Sequence, residues 1–445
     1  MYAVIDGGIA PVGRITVSGA KNSATRLLAA ALLSDEPVDL SNFPSSLVDV
    51  GHKIGFARAM GASVEVDGGD GRLRVDARGF TPHQLERAQL DLPVRTTYLL
   101  AAAQLARSGV AYVPYPGGCP IGPGPSGQRG YDLHVMVWER LGCTVEERAD
   151  HIYVAAPAGL RGSSIDFPIS TVGGTENALL CASVAAGETR ISNAYITPEI
   201  EDLIKLLRQM GAVIEVYGTS HLVVQGRAGL LAGARMPVMP DRIEALTWIV
   251  YAVIARGDLT VEGVPFEAME VPLTHLQHAG IDFYANSRSI QIKPDCFPSG
   301  RVEPFELACG AHPGVISDMQ AFFVLLALVG AGTSRIYDYR YPERIAFVRE
   351  LAKHVQGSHL EAMPGRITVR GPARFQPAVS TSTDLRGSMA SVLAALVAPG
   401  RSVVQDVQMA MRGYDNLEGK LHRLGSRIQV HEDVSPVDRE LVSTA

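Results

Sequence analysis

The sequence predicts an α/β protein of two domains, each built from three copies of one helix–strand–helix–strand unit. Three observations carry that prediction. An apolar helical run, a turn and a short strand recur six times, a second helix in each unit stops at a glycine before another strand, and 445 residues are too many for one simple core.

The first helices contain LLAAALL, LLAAAQL, ALLCASV, TWIVYAVI, FVLLALV and VLAALV. Their turns fall at Glu36, Gly109, Gly187, Gly257, Gly332 and Gly400, at successive spacings of 73, 78, 70, 75 and 68 residues. These runs are apolar on nearly every side, which implies burial at a domain centre with the sheets outside them. The second helices end at Gly61, Gly142, Gly211, Gly280, Gly357 and Gly425. Glycine just past a helix takes the left-handed backbone that stops it.

From first turn to second glycine the units measure 25, 33, 24, 23, 25 and 25 residues, so only the second departs. Its extra length lies in residues 116–134, PGGCPIGPGPSGQRGYDLH, too rich in glycine and proline for the interior of a helix or strand. That stretch holds Cys119, and long loops in compact domains are usually functional.

The helix starts carry polar residues that a core would not require: Lys21 and Asn22, Arg95, Thr171 to Thr175, Asp241 and Arg242, Asp318, and Asp384 with Arg386. Gathered by threefold packing, such ends offer amides and charges that favour anions.

Composition excludes several classes. A net charge of −6 leaves no basic excess for nucleic acid, and 47% hydrophobic with 19% charged residues is ordinary for a soluble protein. The N-terminal MYAVIDGG has no basic segment followed by an apolar run, and no apolar stretch approaches the roughly 20 residues that span a bilayer. A cytoplasmic protein without a membrane partner is expected. Five cysteines, an odd number without a CxxC pair, suit a reducing compartment and motivate no metal site.

The sixfold pattern, SGAKN near the start, GGCPIG followed by RGYDLH, SDMQ, TDLR and RGYDN together resemble the enolpyruvyl transferases over about residues 5 to 430, most of all the branch acting on UDP-N-acetylglucosamine. The resemblance implies two inside-out α/β barrel domains, each of three βαβαββ repeats in pseudo-threefold arrangement, with the active site in the cleft between them. Residues 22–235 would form the first domain, carrying the Cys119 loop; residues 1–21 and 236–445 would form the second, with a mobile tail from about 432.

The implied reaction transfers the carboxyvinyl group of phosphoenolpyruvate to an acceptor hydroxyl and releases phosphate. It needs an acid for the methylene carbon, a base for the acceptor's proton, and cations for a phosphate and a carboxylate; no metal or organic cofactor is required. The resemblance assigns the acid, and a covalent adduct with phosphoenolpyruvate, to Cys119, and the base to Asp318. A thiol among cations titrates near neutrality, which suits the task. Lys21, Arg129, Arg412 and Arg95 match basic residues around phosphoenolpyruvate, and Asn22 matches an acceptor contact. Cys143, Cys181, Cys296 and Cys309 fall inside repeat elements and read as buried and inert. Asp318 can serve as an N-cap as well as a base, and Asp384 with Arg386 fits an ion pair at a helix end as well as a substrate contact.

Departures from the family's pattern fall on the acceptor side. Cys119 and the DLH motif are five residues further apart than in the form GGCxIGxRPxDLH, although Asp132 and Leu133 still match uridine contacts. Thr171, Val172 and Gly173 match positions touching nucleotide phosphates, in a loop two residues longer than the family's. Arg340 replaces a small apolar residue near the acceptor sugar, while Arg344 keeps the arginine that follows. An arginine there favours an anionic group.

With the donor set kept and the acceptor side changed, the expected acceptor is a uridine nucleotide turned around in the site. The expected reaction is on a ribose hydroxyl of UMP, as in relatives from nucleoside-antibiotic pathways; UDP-N-acetylglucosamine is the alternative. The shikimate branch lacks a cysteine lid, so GGCPIG argues against it. A non-catalytic nucleotide-binding paralogue would have lost acid, base or cations, all of which stand at their motif positions. Oligomeric state is not set by these features.

Overall fold

The computed structural model describes residues 1–67, 69, 71–82, 95–115, 117, 130–357 and 359–432. The expectations for Cys119, Arg129, the side chain of Arg95 and the tail lie outside the described residues. The chain divides into two compact units, one formed by the described residues of 19–240 and one by residues 1–18 with residues 241–432.

In the unit of residues 19–240 the Lys21–Ala31 helix leads to strand Val38–Ser41, the Val48–Ala59 helix, and strands Ser63–Asp67 and Arg72–Asp76. The next copy is helix Ala101–Ser108, strand Val110–Pro114, helix Asp132–Arg140, and strands Thr144–Glu147 and His151–Ala155. The third is helix Val172–Val184, strand Ala186–Ala194, helix Pro198–Gln209, and strands Val213–Tyr217 and His221–Arg227. Each copy makes its own sheet. Two of these sheets gain a parallel strand, Arg235–Pro237 beside Val38–Ser41 and Ser164–Thr171 beside Ala186–Ala194. A parallel neighbour needs a crossover, which the buried helix supplies between Ser164–Thr171 and Ala186–Ala194.

That first pairing also sets the edges of the unit. Strand Arg235–Pro237 is tied to Val38–Ser41, and Ala20 N donates to Met239 O at 2.7 Å. Residues 19–21 and 236–240 therefore lie in this unit, which is wider at both ends than 22–235.

The other unit repeats the plan. Strands Val12–Thr16, Glu306–Cys309 and Val379–Thr381 run parallel beside Asp258–Glu262, Gly332–Asp338 and Gly400–Gln405. Strand Tyr2–Gly7 inserts antiparallel between Gly400–Gln405 and Arg427–His431, so one sheet holds both the start of the chain and its last described strand.

Every residue of the helices Arg242–Ile254 and Gln320–Leu328 is buried, as the all-round apolar pattern requires. The second helix of a repeat is one-sided: in Ala346–Lys353 only Phe347, Val348 and Leu351 are buried. The six glycines after the second helices all adopt positive φ, between 77° and 95°, where a side chain would be strained. Among the described residues each unit has three separate sheets rather than one continuous closed ladder. None of the described helices is long and apolar enough to cross a membrane.

Candidate functional site

The polar helix starts build one charged cluster in each unit. In the unit containing residues 241–432, Asp384 caps the Leu385–Val397 helix, its Oδ1 accepting from Arg386 N at 3.1 Å and Gly387 N at 3.4 Å. The same oxygen receives Arg344 Nη2 at 2.7 Å and Nε at 3.2 Å. Arg344 Nη1 meanwhile donates to Asp318 Oδ1 at 2.6 Å. One buried guanidinium thus clamps two carboxylates.

Asp318 lies in the short 3-10 turn Ser317–Met319, ahead of the Gln320–Leu328 helix, and caps neither. The N-cap reading of Asp318 is therefore replaced by an ion pair with Arg344. Its side chain keeps 30% exposure, against 5% for Arg344 and 6% for Asp384. Nor do Asp384 and Arg386 form the ion pair that was the alternative to a substrate contact: Asp384 is neutralised by Arg344, while Arg386 Nε stands 3.8 Å from Asp318 Oδ2 and its guanidinium lies 5.3 Å above the Tyr414 ring.

Burial works to lower the pKa of both arginines. For Arg344 the carboxylates of Asp384 and Asp318 outweigh it, and for Arg386 Tyr414, Asp318 and Asp241 do, so both stay firmly charged. Asp241 in turn caps the Arg242–Ile254 helix, accepting from Ile243 N at 2.8 Å and Glu244 N at 3.1 Å, while burial raises its own pKa. The starts at Asp241, Asp318 and Asp384 therefore meet around Arg386.

Arg340, exposed, and Arg344, buried, belong to one turn pinned by Asp338. Asp338 Oδ1 accepts from Arg340 N, Tyr341 N and Ser317 Oγ, each at 2.9 Å. Arg412 follows the short Gln408–Met411 helix, nearly buried, with Nη1 at 3.7 Å from Met409 Sδ.

In the unit of residues 19–240, Lys21 opens its helix with Nζ 2.7 Å from Asp49 Oδ2, and half-buried Asn22 follows. Five residues on, Arg26 pairs with Glu176 of the Val172–Val184 helix. Glu176 Oε1 also accepts from the Tyr98 hydroxyl at 2.6 Å, and Tyr98 stacks on His134 with ring centroids 3.5 Å apart. Gly173 is packed against that stack, where a Cβ would stand 2.9 Å from Tyr98 Oη and 3.0 Å from His134 Cε1. Thr171 caps the same helix, accepting from Gly174 N at 3.2 Å, and Val172 begins it. Asp132, exposed, and Leu133, half-buried, lie in the first turn of Asp132–Arg140.

Sequence reasoning missed Asp49, Lys53, Glu176 and Tyr98 here, and Asp338 and Tyr414 in the other unit. One signal was available: Asp49 and Lys53 stand four apart, on one face of a helix, next to apolar residues. Four described cysteines are free and buried. Burial pushes their thiols up, Cys143 to about 12 and Cys296 to about 11, with Cys181 and Cys309 moved the same way, so none is a ready acid or nucleophile. Among the described residues no group of three or more His, Cys, Asp or Glu side chains is placed to hold a metal ion.

Chemically, the Asp318 cluster offers a carboxylate held in fixed orientation and still partly open to a ligand. The Lys21 cluster offers a cation at a helix start, where anions are favoured.

A family model described as EPSP synthase (3-phosphoshikimate 1-carboxyvinyltransferase) matches residues 6–421. The UDP-N-acetylglucosamine 1-carboxyvinyltransferase of Paracoccus denitrificans is 35% identical over 439 residues, covering 98% of this chain and all of that protein. The enzyme of the same name from Maricaulis maris is 37% identical over 434 residues, covering 96% and 98%. Among solved structures, the enolpyruvyl transferase NikO from Streptomyces tendae superposes with a TM-score of 0.85 at 25% identity, over 96% of this chain and 98% of that one. An EPSP synthase from Acinetobacter baumannii shares the fold, with a TM-score of 0.71 at 16% identity over 96% and 99%.

Proposed function

Because the chain belongs to the EPSP synthase family of phosphoenolpyruvate-dependent carboxyvinyl transferases, we propose that it transfers the carboxyvinyl group to a ribose hydroxyl of UMP. The observation that carries the reading is the Arg344 clamp, which holds Asp318 oriented and 30% exposed where the resemblance wants a base.

In the proposed sequence the Cys119 thiol gives a proton to the methylene carbon of phosphoenolpyruvate. The acceptor oxygen then bonds to the neighbouring carbon as Asp318 takes its proton. The Cys119 thiolate then takes back a methyl proton as the bond to the phosphate oxygen breaks, which restores the vinyl group, and phosphate leaves with the proton held by Asp318. Lys21, Arg129, Arg95 and Arg412 would hold the donor's charges, and Asn22, Asp132, Leu133, Thr171, Val172 and Gly173 the acceptor. Arg386, close to the Asp318 carboxylate, and Arg340, on the Asp338 turn, would favour an anionic acceptor group. Arg344 and Asp384 act in this reading by positioning Asp318. We propose also that the sheets of each unit wrap their buried helices as an inside-out α/β barrel.

A second reading, transfer to UDP-N-acetylglucosamine, is favoured by the names of the relatives at 35% and 37% identity. Phosphate release decides between them. The expected result is release from phosphoenolpyruvate with UMP and not with UDP-N-acetylglucosamine; the opposite pattern establishes the second reading, and release with neither points to a nucleotide-binding paralogue.

A further inference from the structure

Behind Lys21 lies a buried charge cluster that the proposed reaction does not use. Asp49 and Lys53 stand one turn apart on the Val48–Ala59 helix, Lys21 and Arg26 on the Lys21–Ala31 helix, and Glu176 on the Val172–Val184 helix. Lys21 pairs with Asp49 at 2.7 Å and Arg26 pairs with Glu176. Among the described residues the Lys53 ammonium has one hydrogen-bond acceptor, the Thr25 carbonyl at 3.2 Å. Among the described residues three cationic side chains, Lys21, Arg26 and Lys53, therefore meet two carboxylates, where Lys53 is only 1% exposed and Arg26 only 7%.

A surplus charge in such a place is costly, and a lysine can relieve it by giving up its proton, as an arginine cannot. We propose that Lys53 adjusts the charge of the donor site, standing neutral in the free protein above neutral pH and taking up a proton from solvent when an anion docks on Lys21. The proposal rests on Lys21 being a donor-binding cation. A phosphate or carboxylate arriving there adds negative charge, and the third cation then balances it through a new N–H bond at Lys53 Nζ. Lys53 would touch no substrate and is a positioning residue.

Burial draws Lys53 down to about 7, with Arg26 and Lys21 pulling the same way and Glu176 and Asp49 opposing them. Tyr98 joins the cluster through Glu176. The sign follows. Below pH 7 the amine is charged with or without donor, so its effect on affinity is flat. Above it, binding consumes a proton, and affinity falls by about tenfold per pH unit until the donor-bound pKa is passed.

The test is the KM for phosphoenolpyruvate between pH 6 and 9 at saturating acceptor, for the full chain, Lys53→Met and Lys53→Arg. The parent's KM is expected to rise about tenfold per unit above pH 7. Lys53→Met should start high at pH 6 and lose that rise, and Lys53→Arg should stay low throughout, with kcat little changed in either. Equal slopes in the parent and Lys53→Met overturn the inference and leave the donor reading standing. No phosphate release with either nucleotide removes both. If neither variant folds, the parent decides alone, since a flat KM from pH 7 to 9 overturns the proposal.

Discussion

Cys119→Ser is expected to turn over about 10²–10⁴-fold more slowly than the parent and to resist labelling by an epoxide analogue of phosphoenolpyruvate. The loss is large because a serine hydroxyl is a far weaker acid than a thiol, so it cannot protonate the methylene carbon at neutral pH. The four other cysteines make the labelling result sharp. All are buried with thiols pushed up, so mass-spectrometric attachment should map to Cys119 alone. Persistent labelling of the serine variant would put the reactive thiol elsewhere. Cys119→Asp separates the two roles of the group: a carboxyl can still deliver the proton, so part of the turnover should survive where covalent attachment does not. An aspartate variant as slow as the serine variant would mean that the adduct, and not the proton, is what turnover needs.

The second large effect is on stability. Arg344→Met should cost about 3–5 kcal/mol in denaturant unfolding, because it takes the cation away from the buried Asp384 carboxylate. Burial supports that scale, with Arg344 and Asp384 only 5% and 6% exposed. Asp318→Asn makes the informative partner. The amide oxygen can still accept from Arg344 and the site is 30% exposed, so the fold should be kept while phosphate release falls about 10²–10⁴-fold. An Arg344→Met protein as stable as the parent would show that the clamp contributes nothing to folding, and an active Asp318→Asn protein would remove Asp318 as the base.

Much of the architecture could be read along the chain because it depends on local pattern. All-round apolar runs such as TWIVYAVI have no solvated face, so they must lie inside, and the glycine after each second helix is needed for a positive φ that other residues resist. Polar residues at helix starts were equally visible as candidates, since cores do not call for them. What those residues bond to was not visible. Arg344 and Asp384 are 40 residues apart and Arg26 and Glu176 are 150 apart, and no local rule says which face of one repeat meets which face of another. Asp318 looked like a cap because it precedes an apolar helix, yet the nearby guanidinium claims its oxygen.

The sequence alone thus determined the six repeated units, their buried first helices, the glycine stops and the one loop that breaks length, since each follows from residues within a few turns of one another. Only the tertiary structure decided that Arg344 neutralises Asp318 and Asp384 and that Lys53 lies buried among Lys21, Arg26, Asp49 and Glu176. Charge pairing in an interior is set by distance through space and by removal from water, and both exist only once the repeats have packed.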